Sequence, residues 1–115
     1  MPWLPFAEVH GMPAKRGSEG GVTVLDEEHD PWGARITLER DADIAPAAIT
    51  CGLYGWMFHT RYFANLQQAQ REYELMKTDL SKLVSLIPLD TDPDVQTKSA
   101  ALTEAISQFV ERYPT

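Results

Sequence analysis

The stretch NLQQAQREYELMKTDLSKLVSLIP, residues 65–88, decides the fold class because it carries the most regular apolar pattern in the chain. Apolar residues recur there at alternating spacings of three and four, which is the period of one helix face. Asn65 is a preferred N-cap, Gln68 completes a capping box, and Pro88 cannot continue a helix. We therefore predict a helix between Asn65 and Pro88 with this buried face: Leu66, Ala69, Tyr73, Met76, Leu80, Leu83 and Ile87.

A second helix is predicted after a short connection over residues 88–92. Asp92 is typical of an N-cap and Pro93 of the first helical position, and Pro114 ends the pattern. The residues of the predicted buried face again alternate between spacings of four and three, and all but Ser99 are apolar or aromatic: Val95, Ser99, Leu102, Ile106, Phe109 and Tyr113. Because the connection is short, we expect the two helices to form an antiparallel hairpin.

The N-terminal half predicts strands instead of helices. Apolar and polar residues alternate over 34–39, which is typical of a half-buried strand. Residues 22–25 are β-prone and would pair with that strand in a hairpin, whose long acidic connection ends in a type I turn at 30–33. A third strand is predicted over 48–59, in a central position because both of its faces are largely apolar. Residues 6–10 are a candidate fourth strand at the edge.

Strands followed by helices, in the order β-β-β-α-α, indicate the α+β class. We predict a small antiparallel sheet of three to four strands, with the C-terminal antiparallel helical hairpin packed on one of its faces. The chain has 115 residues, which suits a single domain. Within that domain, residues 1–21 form a loop-rich segment, residues 22–64 the sheet and residues 65–115 the two helices.

Composition and charge argue against several functions. The formal net charge is −7 and no basic run is present, so nucleic-acid binding is not expected. The longest mostly apolar stretch, residues 44–58, is shorter than the roughly 20 residues that span a bilayer, so no membrane association is expected. The first residues lack the basic and apolar regions of a secretory signal. Together with a single cysteine, Cys51, this predicts a cytoplasmic protein.

The acidic run at residues 26–30 is the first candidate site, because four carboxylates and one imidazole occupy five successive positions. Carboxylate oxygens and imidazole nitrogens bind divalent transition metals, which makes Asp26, Glu28 and His29 candidate metal ligands. Adjacent residues rarely converge on one ion, however, and calcium loops place their ligands at alternate positions. The favoured interpretation is a solvated hairpin loop, with no cofactor expected. Its charge also permits a basic protein partner.

The aromatic segment is the second candidate site, and it contains the densest group of rings in the chain: Tyr54, Trp56, Phe58, Tyr62 and Phe63. Such clusters usually pack in a core or an interface, and that is the favoured interpretation. The alternative is a ligand pocket lined by Tyr54, Trp56, His59 and Arg61. In that pocket Arg61 would bind an anionic group and His59 would transfer a proton.

Catalysis by Cys51 and His59 is not expected. On one ideal strand the two residues would lie about 27 Å apart at ~3.3 Å per residue, too far for a nucleophile and its base. The sequence also contains no Gly-x-Ser-x-Gly, His-Glu-x-x-His or Cys-x-x-Cys motif.

A small sheet covered by helices on one face leaves an aromatic face without cover, which is unusual for a monomer. We therefore predict a homodimer that acts through protein–protein association and has no catalytic activity. The alternative function is a small-molecule-binding protein or an enzyme, with its pocket around Tyr54, Trp56, His59 and Arg61. A cavity of at least ~300 Å³ at that place would favour the alternative.

Overall fold

A computed structural model describes residues 3–6, 17–29, 33–89 and 91–115. Five strands form one antiparallel sheet whose spatial order follows the chain, and two helices come after them. The strands are β1 (Trp3–Pro5), β2 (Val22–His29), β3 (Ala34–Arg40), β4 (Ala47–Leu53) and β5 (Met57–Phe63); the helices are α1 (Leu66–Val84) and α2 (Val95–Arg112). The α+β class is confirmed, but the described part of the chain has five strands and not three or four.

The predicted strand over residues 48–59 is wrong, because the chain turns back there and forms a hairpin of β4 and β5. The backbone N–H of Trp56 donates to the carbonyl oxygen of Leu53, and Gly55 has a φ of 82°. Type II and type I′ turns need a positive φ at this third turn position, which glycine adopts without strain. As a result Cys51 and His59 lie directly opposite each other on neighbouring strands, and not at the two ends of one strand.

The predicted acidic loop is also wrong, because its described residues belong to a strand. β2 continues to His29, and residues 26–29 pair with residues 34–37 of β3. The predicted turn at residues 30–33 lies outside the described residues except for Gly33. Residues 7–10 of the predicted edge strand lie outside them as well, and the observed edge strand is β1, formed by residues 3–5.

One face of the sheet is covered by α1, and the apolar core lies between them. The largest fully buried apolar side chains come from the middle strands and from the two helices: Ile36, Leu38, Ile49, Leu53, Tyr73, Met76, Leu80 and Leu102. α2 packs on α1, and its C-terminal end reaches β5, where the rings of His59 and Phe109 are 6.5 Å apart. We call the sheet face beneath the helices the covered face, and the opposite one the open face.

The buried residues of both helices lie on the predicted faces, but the limits of the helices differ from the predicted ones. The side-chain oxygen of Asn65 accepts the backbone N–H of Gln68 at 2.8 Å, which confirms the N-cap. α1 ends at Val84, because the next two turns close with tighter i→i+3 hydrogen bonds. α2 begins at Val95 and not at Pro93. Before the helix, the carboxylate of Asp92 accepts the backbone N–H of Asp94 and stabilises a separate turn. Neither helix in the described ranges combines the length and apolar character needed to cross a membrane.

Candidate functional site

The open face carries the candidate site, because polar side chains occupy it in register across several strands. In one row, Arg35 of β3 lies opposite Gly52 of β4, which in turn lies opposite Phe58 of β5. Side chains alternate between the two faces along each strand, so the strand register shows which other residues belong to the open face. The open face includes Thr23, Asp26, Glu28, Arg35, Thr37, Glu39, Thr50, Gly52, Phe58, Thr60 and Tyr62.

A cavity of about 390 Å³ lies on the open face. Its volume falls within the range of roughly 300–1,000 Å³ that is typical of small-molecule sites. A Cβ atom at Gly52 would lie only 3.0 Å from the Phe58 ring, so the glycine allows that ring to lie across β4. The lining is Gly17, Ser18, Thr23, Asp26, Arg35, Thr37, Thr50, Cys51, Gly52, Tyr54 and Phe58.

An ion pair between Asp26 and Arg35 forms one side of the pocket. Nε and Nη2 of Arg35 donate to the two carboxylate oxygens of Asp26 at 2.9 and 2.7 Å, and Phe6 lies 3.6 Å from the guanidinium. The hydrogen bond to Asp26 is the main cause that raises the pKa of Arg35. A guanidinium bound at two points has a fixed orientation, and its unused N–H groups are therefore presented in fixed directions.

A second pair joins Glu28 to Tyr54. Glu28 is only 1% exposed, and the Tyr54 hydroxyl donates to its Oε2 at 2.5 Å. Burial and this hydrogen bond both raise the pKa of Tyr54, so its hydroxyl stays protonated and remains a donor. The pair holds the Tyr54 ring at the pocket wall.

The loop of residues 17–21 is fastened to the open face by Glu39, whose side chain has no exposed surface. The Glu39 carboxylate accepts the backbone N–H groups of Glu19 and Gly21 at 3.2 and 3.0 Å. This attachment brings Ser18 to the pocket, where its hydroxyl lies 3.3 Å from that of Thr50. The buried carboxylate thus positions one wall of the cavity.

Thr23 provides an unusual feature of the lining. Its side-chain oxygen is buried and has no hydrogen-bond partner within the described ranges. Leaving a buried hydroxyl without a partner costs roughly 1–3 kcal/mol in proteins. The pocket therefore contains a hydrogen-bonding group that none of the described residues uses.

The residues predicted as metal ligands are not brought together. Asp26 is held by Arg35 and Glu28 by Tyr54, both on the open face. His29 follows on the covered face, with its ring 4.9 Å from that of Trp3. Among the residues that the structure describes, no group of three or more His, Cys, Asp or Glu side chains is arranged to hold a metal ion.

The pocket predicted around Tyr54, Trp56, His59 and Arg61 is divided between the two faces. Tyr54 lines the open-face cavity, whereas Trp56 lies in the turn outside the lining. His59 and Arg61 belong to the covered face, where they contact the carbonyl oxygens of Tyr113 and Pro114. Arg61 also donates to Glu72 on α1 at 2.8 Å. These two side chains fasten the C-terminal end to the sheet, and Arg35 is the cation at the cavity.

Cys51 and His59 are neighbours across the sheet, contrary to the distance predicted for one strand. Burial raises the pKa of the Cys51 thiol to about 12. Only the thiolate is a strong nucleophile, so this cysteine is not activated for covalent catalysis.

The two edges of the sheet differ in length and composition. β1 has three residues and includes Pro5, which lacks an N–H group. β5 has seven residues, and Phe58 on its open-face side is 81% exposed. Within the described ranges, β5 forms backbone hydrogen bonds only with β4. Among the residues that the structure describes, β5 is therefore a seven-residue strand with one edge available.

Comparisons of the chain with models of protein families, with curated proteins and with solved structures found no match. Two features of the described structure bear on its function, namely the open-face cavity and the available edge of β5.

Proposed function

We propose that the protein acts through protein–protein association, as a homodimer in which the β5 strands of two copies pair into one continuous antiparallel sheet. No catalytic activity is assigned to it. The observation that carries the proposal is the seven-residue edge strand with Phe58 exposed on it. An exposed strand edge presents unpaired backbone groups to another chain, and native proteins usually protect it.

The side chains of β5 suit pairing with a second copy. If the two-fold axis passes through Thr60, the two copies of Thr60 lie opposite each other. Phe58 of each copy then lies opposite Tyr62 of the other, and both side chains belong to the open face. Aromatic pairs across antiparallel strands each stabilise pairing by roughly 0.2–1 kcal/mol. The pairing gives the exposed Phe58 ring an apolar neighbour.

The charged residues of β5 do not oppose this pairing. Inward-pointing charges often protect an edge, and Arg61 points to the covered face. Arg61 is already paired with Glu72, and His59 contacts the carbonyl oxygen of Tyr113. The pairing therefore introduces no uncompensated cation at the junction.

A basic protein partner is a weaker candidate for the association. The acidic residues that suggested it are engaged inside the molecule, because Asp26 binds Arg35 and Glu27 binds Lys77 and Tyr73. We place the protein in the cytoplasm, since its one cysteine is free and buried and such thiols persist in reducing compartments.

Light scattering coupled to size exclusion tests the homodimer. A single edge pairing is a small interface, so samples from about 1 to 200 µM cover the affinity expected for it. We expect the wild-type mass to rise to that of a dimer within this range. Phe58→Lys should remain monomeric, because lysine on an edge strand disfavours pairing.

Leu75→Lys is the matched control, since Leu75 is another exposed apolar residue, 55% exposed on α1 and away from β5. It should dimerise as the wild type does. A wild type that stays monomeric at the highest concentration contradicts the proposal. So does a Phe58→Lys variant that dimerises normally.

A further inference from the structure

The hydrogen-bonding groups of the open-face cavity match a ligand that carries hydroxyls. Ser18, Thr23, Thr37 and Thr50 line it from β2, β3, β4 and the loop of residues 17–21. Each of their hydroxyls can donate and accept, as a ligand hydroxyl can. The Thr23 hydroxyl lacks any partner among the described residues, and a ligand hydroxyl would supply one.

The charges of the cavity favour a neutral ligand. Arg35 is compensated by Asp26, with which it forms two hydrogen bonds. The buried carboxylate of Glu28 lies on the same face, opposite Arg35 in the β2–β3 register. An anion in the cavity would meet the Asp26 carboxylate beside a guanidinium that Asp26 already compensates, and a cation would compete with Arg35 for Asp26. A neutral molecule meets neither obstacle and can accept from the remaining N–H groups of Arg35.

One wall of the cavity is apolar. The Phe58 ring lies across β4 at Gly52, where an added Cβ atom would lie 3.0 Å from two of its ring carbons. Ligand sites combine apolar and aromatic walls with a few directed polar groups. A molecule with one C–H-rich face and a rim of hydroxyls satisfies both parts of this lining.

We propose that the open-face cavity is a binding site for a neutral polyhydroxylated ring, of the size and chemistry of a monosaccharide. The volume of about 390 Å³ accommodates such a molecule. The threonine hydroxyls and Arg35 would bind the hydroxyl rim, and Phe58 would pack against the apolar face of the ring. The site shares Phe58 with the proposed dimer contact, but its polar groups come from β2, β3, β4 and the loop of residues 17–21, so a variant at Thr23 tests sugar binding separately from dimerisation.

Saturation-transfer NMR with defined sugars tests the site. The neutral probes are glucose, galactose and N-acetylglucosamine, and glucose 6-phosphate is the charged comparison. We expect at least one neutral sugar to bind, and glucose 6-phosphate to bind at least about tenfold more weakly than glucose, since a phosphate in the cavity would meet the Asp26 carboxylate beside a guanidinium that Asp26 already compensates.

The decisive variant is Thr23→Val, which removes the unpartnered hydroxyl and keeps the shape of the side chain. It should lower sugar affinity about tenfold while the melting temperature stays constant or rises, because an unsatisfied buried group is removed. Thr97→Val, at an exposed position on α2, is the matched control and should change neither quantity. A general loss of folding would lower affinity and melting temperature together, so the two effects are separable.

Three results would overturn the proposal. One is the absence of binding by all three neutral sugars. Another is tighter binding of glucose 6-phosphate than of glucose, which would make the cavity an anion site. The third is a Thr23→Val variant that binds sugar as the wild type does.

Discussion

The two faces of one sheet are stabilised by different forces. On the covered face, Ile36, Leu38 and Ile49 are completely buried beneath α1, and burial of apolar area stabilises them without regard to direction. On the open face, Arg35 is fixed by Asp26 through directed hydrogen bonds. Neighbouring positions of one strand therefore serve different purposes. Apolar packing holds the sheet together, and directed polar contacts fix the orientation of side chains that line the open-face cavity.

Leu38→Ala should produce the largest effect, because it opens a cavity beneath α1. We expect it to lower the free energy of unfolding by about 3 kcal/mol, as measured by urea denaturation. Phe58→Ala, on the exposed side of the open face, should change it by less than about 0.5 kcal/mol. Similar losses for the two variants would show that the faces do not differ in this way.

Glu39→Ala tests whether polar contacts also stabilise the open face. It would leave the backbone N–H groups of Glu19 and Gly21 without their acceptor, at a cost of about 2 kcal/mol in urea denaturation. Glu39→Gln keeps one acceptor oxygen and should lose about half as much. If Glu39→Ala is as stable as the wild type, the loop of residues 17–21 is not held by this carboxylate.

Tyr73→Phe examines a polar contact within the covered face. The buried Tyr73 hydroxyl donates to Glu27 at 2.7 Å, and Lys77 binds the same carboxylate. Because Lys77 remains as a partner, the loss should be about 1 kcal/mol in the same denaturation assay. Tyr62→Phe removes a hydroxyl from the more exposed rim and should leave stability nearly unchanged. A larger loss for Tyr62→Phe would reverse the expected order.

The smallest expected change in the free energy of unfolding comes from Asp79 on α1 and depends on pH. Burial opposes ionisation of Asp79, but hydrogen bonds from Tyr113, Arg112 and Lys82 outweigh it and lower the pKa of this carboxyl. A lowered pKa contributes stability above the unfolded value of about 4, and that contribution is lost as pH falls through the folded value. Wild type should therefore lose more stability than Asp79→Asn between about pH 6 and pH 3. Equal losses in urea titrations at the two pH values would contradict this assignment.

The helices could be predicted because their information is local. The heptad pattern continues over several turns, and the buried residues Ala69, Tyr73, Met76 and Leu80 lie on the predicted face.

The β4–β5 turn could not be predicted from the sequence, because Tyr54-Gly55-Trp56 lacks an Asn-Gly or Asp-Gly pair and is flanked by apolar residues. The acidic C-terminal part of β2, residues 26–29, could not be predicted as a strand for another reason. Glu27 is tolerated there because its partners Tyr73 and Lys77 come from α1, far along the chain.

The candidate site was harder to predict than the fold. Of the residues predicted for one pocket, Tyr54 lines the open-face cavity, whereas His59 and Arg61 belong to the covered face. The alternation of Arg35 and Thr37 was visible in the sequence. A solvated strand face and a polar cavity wall have the same composition, so alternation alone could not distinguish them. Only the register with β4 and the attached loop creates the cavity.

The hydrogen bond from the Trp3 indole to the Ser81 hydroxyl, at 2.7 Å, links the first strand to the helix that covers the sheet. During translation Ser81 is made 78 residues after Trp3. At about 5–20 residues per second, these events are separated by roughly 4–16 s. Until α1 leaves the ribosome, the apolar faces of β3 and β4 have no cover. The nascent chain is therefore most exposed to aggregation, and most dependent on chaperones, between the synthesis of β4 and that of α1.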